Sequence, residues 1–444
     1  MAQFFREKPN RSSSKPQNVS LTIQSLDHLA QGIGQLQGKV VFVPGALPTE
    51  RVKVAITENK KQFAKAKLIQ LESRSEQRVD AECPHYQRCG GCDFQHLPHA
   101  EQNSHKRATL TNLFHKLAPE TKLPAVDEVL SSPWLFRRKA RLSSWYDKAS
   151  KGFTLGFRGR ESHKVVAIDQ CPVLDASLSA LIKPVAATLG KLQGVAALGH
   201  VELIATQQQP MVVIRVVQTL SDKDKAKLVE LAQRLDCAMV LEHADEQWEY
   251  LQGERPYYAL QLANGPLALH FNPGNFIQVN GGVNNAMVNR AVEWLSPAAG
   301  DKVLDLFCGM GNFSLALAAT GAQVIGVEGV PNLVELAKDN ARAANLANVE
   351  FFCSDLNEPL DKAPWFGKVD KLLLDPSRAG AFEALAYLAK LSPTQVVYVS
   401  CNPLSLARDS QQLLKQGYQL EKLSVLDMFP QTHHIEAMAL FVRK

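Results

Sequence analysis

The chain has 444 residues, 45% of them apolar and 21% charged, and its 49 Lys/Arg against 44 Asp/Glu give a formal net charge of +5. That length suggests two to four domains with a core that needs no cross-links, and eight unevenly spaced cysteines do not make a disulfide scaffold. No apolar run approaches the ~18–20 residues of a membrane helix, and Met1 to Gln17 is polar and basic with no apolar signal core, so a cytoplasmic protein with no membrane partner is expected.

Charge is unevenly distributed: residues 1–72 carry +6, residues 101–160 carry +7 and residues 161–444 carry −7. A basic front half and an acidic back half point to an anionic partner, held by one end and handled by the other. The plainer reading of each charge block is a solvated face.

In chain order, residues 1–17 read as a flexible basic tail. Residues 18–72 hold short alternating β-runs (Val19 to Gln24, Lys39 to Val43, Arg51 to Ile56), punctuated by Gly32, Gly34, Gly38 and Gly45. Close-set strands with turn signals predict a small OB-like barrel. Lys53, Lys60, Lys61, Lys65 and Lys67 lie on its last strands, a basic face suited to single-stranded nucleic acid.

Residues 73–269 read as a central α/β domain. Its β-runs include Lys139 to Tyr146 and Met211 to Val217, and Ser221 to Leu235 has a helical pattern. Cys83, Cys89 and Cys92 fall within ten residues, and Cys171 follows far along in Asp-Gln-Cys-Pro. Four thiolates can hold zinc or an iron–sulfur cluster, and the spacing does not choose between them. Cys237, Cys308 and Cys353 do not extend the set. The basic run Phe136 to Arg141, with Trp134 near, either lines a path for nucleic acid or is a solvated strand edge.

Residues 270–444 repeat strand, glycine turn and helix, which predicts a Rossmann-like α/β domain with a mainly parallel sheet. Val303 to Leu306 runs into Gly309-x-Gly311, and Glu328 ends a second strand nineteen residues past Gly309. An acid there is placed to accept bonds from ribose hydroxyls. Ser314 stands where a third glycine would be, which argues against a dinucleotide. Asp355 follows a third strand, the usual place to hold an adenine amino group. With Asp305, these residues look like the S-adenosylmethionine site of Rossmann-like methyltransferases. The alternative is that the glycines serve only helix–strand packing.

Two further strands end in Asp375-Pro-Ser-Arg378 and Ser400-Cys401-Asn402-Pro403, at the edge where open α/β sheets bind ligands. A cysteine tip beside Asp-Pro suggests carbon as the methyl acceptor. C5 of uracil is a poor nucleophile until a thiolate adds at C6, and a base must then remove the C5 proton. Cys401 fits the first role. Glu436, a lone acid opening an apolar strand, fits the second, because burial would raise its pKa. The plainer readings are a core cysteine and a surface carboxylate, and His433 or His434 could also serve as base.

The segments Asp305-Leu-Phe-Cys-Gly-Met-Gly-Asn-Phe-Ser314, Asp375-Pro-Ser-Arg378, Ser400-Cys-Asn-Pro403 and His433-His-Ile-Glu436, in this order, resemble the RNA uracil-5-methyltransferase family. The resemblance spans nearly the whole chain and is closest to the branch acting on bacterial 23S rRNA. It implies S-adenosylmethionine-dependent C5 methylation of a flipped 23S rRNA uridine. Cys401 would be the nucleophile and Glu436 the base, with Gln278, Phe307, Asn312, Glu328, Asp355 and Asp375 on the cofactor. It further implies a [4Fe-4S] cluster on Cys83, Cys89, Cys92 and Cys171, and a TRAM domain for the first barrel. Ser377 stands where many relatives have proline, a mild departure. A tRNA enzyme, an enzyme acting at a different rRNA uridine and a non-catalytic RNA-binding protein are the competing readings. No obligate protein partner is evident, and a monomer is expected.

Overall fold

A computed structural model describes residues 18–244 and 247–443, so the predicted tail over residues 1–17 lies outside the described residues. The described residues divide into two compact units, one of residues 18–80 with 96–98 and one of residues 81–95 with 99–244 and 247–443.

The first unit holds a closed five-stranded barrel, as the β-runs and glycines predict. Asn18–Leu26, Gln31–Leu36 and Lys39–Pro44 form a meander; Phe63–Ser73 pairs with the third strand, and Arg51–Asn59 closes the ring on the first. Alternation turns Leu21, Ile23, Val41, Val43, Val52 and Val54 inward, as a half-buried strand requires. Lys53, Lys65 and Lys67 point out. Gly38 and Gly45 take positive φ of 81° and 79° at tight turns, where side chains are disfavoured. Buried Glu50 is held by Arg78 and by the Leu47 N–H, and these partners keep its carboxyl below the ordinary range despite burial.

The second unit contains two large sheets. The seven-stranded sheet runs in the order Trp248–Gln252, Ala238–Glu242, Met211–Val216, Leu198–Ile204, Lys139–Asp147, Gly152–Arg158 and Val165–Ala167. Helices Ala176–Leu189 and Asp222–Leu235 cover one face with Leu178, Ile182, Val185, Leu228 and Leu231. On the other face Ile204, Met211, Val213 and Val240 join a core with the hairpin Tyr257–Leu262/Gly265–His270 and helix Gly281–Leu295.

The eight-stranded sheet has the order Val349–Cys353, Gln323–Glu328, Lys302–Leu306, Lys371–Leu374, Gln395–Ser400, Glu436–Arg443, Tyr418–Leu426, Val126–Val129. Its first five strands are parallel and mostly apolar, the buried Asp305 and the terminal Glu328 being among the exceptions, as a sheet covered on both faces requires. Glu436–Arg443 runs antiparallel to Gln395–Ser400. This reversal brings the beginning of one strand to the edge where its parallel neighbours end. Val126–Val129, far earlier in sequence, adds the last strand beside Leu423–Leu426. Helix His99–Leu117 packs Leu110 and Phe114 into the same core.

Candidate active site

Strand register assembles the site. Leu306 pairs with Val327 on one side and Leu374 on the other. Phe307, Glu328 and Asp375, each one residue further along, therefore share the same edge. Ser400 pairs with Ala437, so the next antiparallel rung sets Cys401 opposite Glu436. Asp355 lies just past the strand ending at Cys353. Most of the predicted site residues thus meet along one line of strand tips.

On the cofactor half, the backbone is prominent. Phe307 has φ of 67°, and the Phe307 and Cys308 N–H groups both donate to the Val327 carbonyl, which turns the chain sharply into the glycine loop. Gly309 has φ of 56°, and a Cβ there would meet nothing within 4 Å, so the loop leaves open space over its backbone. The Glu328 carboxylate accepts from the Gly309 N–H at 3.0 Å and from the Val330 N–H at 3.0 Å, which fixes its direction. Asp355 is exposed and accepts from the Asn357 N–H. Asn312 is engaged differently: its amide oxygen accepts from Tyr258 Oη at 2.9 Å and from Asn284 Nδ2 at 3.1 Å, and its nitrogen donates to Asn284 Oδ1. The Gln278 carbonyl accepts from Arg138 Nε at 2.7 Å, which anchors its loop.

Beneath the glycine loop, Asp305 is fully buried. Ser314 Oγ donates to its Oδ2, while Oδ1 has no partner. Burial pushes its carboxyl up to about 8, and the nearby charges of Asp375 and Glu328 add to the rise. An unpartnered buried acceptor beside an open glycine loop fits a cationic, amine-bearing ligand such as S-adenosylmethionine.

On the reactive half, protein encloses the acids. Asp375 keeps some surface at the crevice, yet its surroundings push it up to about 7. Glu436 is 2% exposed; burial holds its carboxyl well above the usual range, with Asp375 raising it further. Cys401 is half-buried, and its thiol is pushed up to about 11 by burial and then by the charges of Glu436 and Asp375, against Arg378. Glu328, Asp305, Asp375, Glu436 and Cys401 thus form a continuous electrostatic row from the glycine loop to the thiol.

The four cysteines predicted as ligands are free and half-buried. Burial raises Cys92 to about 12 and Cys171 to about 11, and charge on the companion thiols raises both further, which places the four near one another. The Gly91 N–H donates to Cys89 Sγ at 3.3 Å, and the half-buried cation Arg137 feels the charge of Cys171 and Cys92. Among the described residues no group of three or more His, Cys, Asp or Glu side chains is set to hold a metal ion.

The basic run is partly internal. Arg138 lies over the Tyr258 ring at 4.2 Å, and Arg137 Nε donates to the Lys139 carbonyl. Of this run, Arg141 is exposed, alongside Trp145 at 63% exposure on the same strand. Sequence reasoning missed Asn284 and Tyr258, which shape the glycine loop, and read Arg138, which anchors the Gln278 loop, only as part of a basic run. A buried asparagine inside an apolar helix is the one signal that could have revealed Asn284. Of the alternative bases, His433 is bonded to Asp93, and burial and then the charge of His433 push His434 down to about 4.

Residues 99–444 match the tRNA (Uracil-5-)-methyltransferase family model, and residues 16–69 match the TRAM domain. The chain is 53% identical over 446 residues to the 23S rRNA (uracil(1939)-C(5))-methyltransferase RlmD of Shewanella halifaxensis, covering 100% of both chains. It is 52% identical to the enzyme of the same name from Shewanella sediminis, covering 99% of each. Among solved structures, the Pyrococcus abyssi tRNA (uracil-54, C5)-methyltransferase in complex with S-adenosyl-L-homocysteine aligns over 96% of this chain and 100% of its own, with a TM-score of 0.73 at 24% identity. A tRNA enzyme therefore shares nearly the whole architecture, and the fold alone does not choose between tRNA and rRNA.

Proposed function

The chain belongs to the tRNA (uracil-5-)-methyltransferase family, and from that membership we propose that it methylates C5 of the 23S rRNA uridine equivalent to position 1939, through a covalent Cys401–C6 adduct. The observation that carries the chemistry is the antiparallel rung that sets Cys401 opposite Glu436 beside Asp375. Full-length identity above 50% to enzymes of that name supports rRNA over tRNA.

Bound S-adenosylmethionine supplies an electrophilic methyl on a sulfonium. Glu328 holds the ribose hydroxyls, Asp355 the adenine amine, and Asp305 and Asp375 face the positive end; Phe307 and Gln278 line the cleft, and Asn312 fixes the loop through its amide pair. A cation among these acids favours their ionised forms and, with them, the base. Cys401 reacts as the thiolate, its proton released to water: Sγ bonds to C6, the C5=C6 π bond opens and its electron pair moves onto C5. Once C5 carries the methyl, Glu436 takes the C5 proton, the S–C6 bond breaks and the C5=C6 bond re-forms. A carboxyl held above its ordinary range is the stronger base when it is ionised. The target base must leave its stack to reach Cys401.

Cys83, Cys89, Cys92 and Cys171 would hold a [4Fe-4S] cluster, which supplies a rigid cross-link, since methyl transfer moves no electron. The donor set fits such a group: four thiols that feel one another's charge, with the half-buried Arg137 beside them. Iron and sulfide analysis of anaerobically purified protein tests this; stoichiometric zinc without sulfide overturns it. The TRAM barrel, with Lys53, Lys65 and Lys67 outward, grips rRNA phosphates. An rRNA substrate supports a cytoplasmic location; no described helix is long and apolar enough to cross a membrane.

The test is methyl transfer from labelled S-adenosylmethionine to a 23S rRNA fragment and to tRNA, with the product nucleotide mapped. A single 5-methyluridine in the rRNA is expected. Label in tRNA, or on any atom other than C5, overturns the proposal.

A further inference from the structure

Glu436 opens its strand, so its position depends on the connection from Asp427 to Ile435 that precedes it. That connection is gripped from one side by three residues of helix His99–Leu117. His99, Gln102 and Lys106 stand at i, i+3 and i+7, a single helical face. Lys106, only 1% exposed, donates to Asp427 Oδ1 at 3.0 Å and to the Phe429 carbonyl at 3.0 Å, and His99 Nε2 lies 2.6 Å from Asp427 Oδ2. The Gln102 amide donates to Gln431 Oε1 and accepts from the Gln431 N–H, both at 3.0 Å.

A second set of bonds comes from the segment directly after Cys92. The Asp93 and Phe94 N–H groups donate to the Gln431 carbonyl at 3.2 and 3.1 Å. Asp93 accepts from the His433 N–H at 2.9 Å and lies 2.5 Å from His433 Nδ1. Gln102 Nε2 also donates to the Phe94 carbonyl, which ties the two sets together. Gln431 itself sits at φ of 65°, a left-handed conformation that non-glycine residues adopt only when held. An apolar contact would have anchored this loop without fixing its direction, whereas buried hydrogen bonds do both.

We propose that Asp93, Gln102 and Lys106 form a latch that positions Glu436, and that the cysteine cluster acts on the reaction through this latch because Asp93 follows Cys92. The inference rests on the base assignment above. It gives the cysteines a part in a reaction that moves no electron: ordering residues 83–92 orders Asp93, and Asp93 orders the loop that carries the base.

The variants Gln102→Ala and Asp93→Ala, with Lys106→Met as a third that need not fold, test it in the full-length protein. The latch predicts a kcat lower by 10- to 100-fold, with KM for RNA and for S-adenosylmethionine changed less than twofold. The RNA–protein adduct is expected to accumulate on a denaturing gel, as in Glu436→Gln, because the thiol still adds while proton removal is late. Amide hydrogen exchange over 427–436 is expected to quicken at least tenfold, and Cys83→Ser, which lies outside the latch, is expected to quicken the same segment. Folded Gln102 and Asp93 variants with unchanged kcat and unchanged exchange overturn the latch, and Cys83→Ser with native exchange over 427–436 detaches the cysteines from it. If Glu436→Gln itself yields no adduct, the base assignment fails, and the exchange data still decide the latch.

Discussion

On one side of Asp375, the strands ending in Leu306, Glu328 and Cys353 meet the crevice with a glycine loop, main-chain N–H groups and partly accessible acids. On the other side, the strands carrying Cys401 and Glu436 meet it with a half-buried thiol and an enclosed carboxyl, both moved from their ordinary protonation range. One sheet thus serves two tasks with two kinds of group. Recognition of a ligand that arrives and leaves uses mainly backbone and accessible charge, with Asp305, buried beneath the glycine loop and raised to about 8, as the exception. Proton and bond exchange uses enclosed groups whose surroundings hold the tuning.

Substitution on each side sharpens that contrast. Cys401→Ala is expected to lower kcat by roughly 10⁴-fold or more, since no other group can activate C5; single-turnover methylation with intact S-adenosylmethionine affinity is the measurement. Glu436→Gln is expected to cost about 10²–10⁴-fold, the usual range for a general base, and to trap the adduct. Glu328→Ala belongs to the recognition side, and loss of charged hydrogen bonds to a ribose predicts about 10- to 100-fold weaker cofactor binding by calorimetry. A large fall in kcat at saturating cofactor would erase the distinction between the two halves.

The smallest effect concerns pH. Asp305 titrates at about 8 in the fold against 3.8 when free, so the folded state binds its proton more tightly. Its contribution is therefore most favourable at low pH and declines as pH rises towards 8. Asp375, raised to about 7, acts in the same direction, while His434, held at about 4 against 6.5, acts oppositely but only below pH 6.5. Between pH 6.5 and 8 the ligand-free protein should lose up to about 2 kcal/mol through Asp305, and Asp305→Asn should flatten that loss in thermal unfolding.

The sequence made the glycine loop, the acid at its expected distance and the Asp-Pro and Cys-Asn-Pro tips readable, because each is a local signal. Glu436 was readable only as a lone acid before an apolar run; its place opposite Cys401 follows from an antiparallel pairing that no local pattern encodes. The latch was invisible for a physical reason. Its helix buries Gln102 and Lys106 and half-buries His99, and a polar stripe at helical spacing looks like a solvent face until its partners, more than 300 residues away, are seen. Likewise Val126–Val129 is too short to announce the sheet it joins, and Arg137 and Arg138, read as a basic path, turn inward against Lys139, Gln278 and Tyr258.

The central claim is the bond between Cys401 and C6, and RNA carrying 5-fluorouridine at the target tests it most directly. Fluorine at C5 cannot leave as a proton does, so the reaction should halt with sulfur attached. Digestion and mass spectrometry should find methylated fluorouridine on the peptide containing Cys401, and none with Cys401→Ala. A nucleotide on another residue, or complete turnover with no attached RNA, would contradict the account.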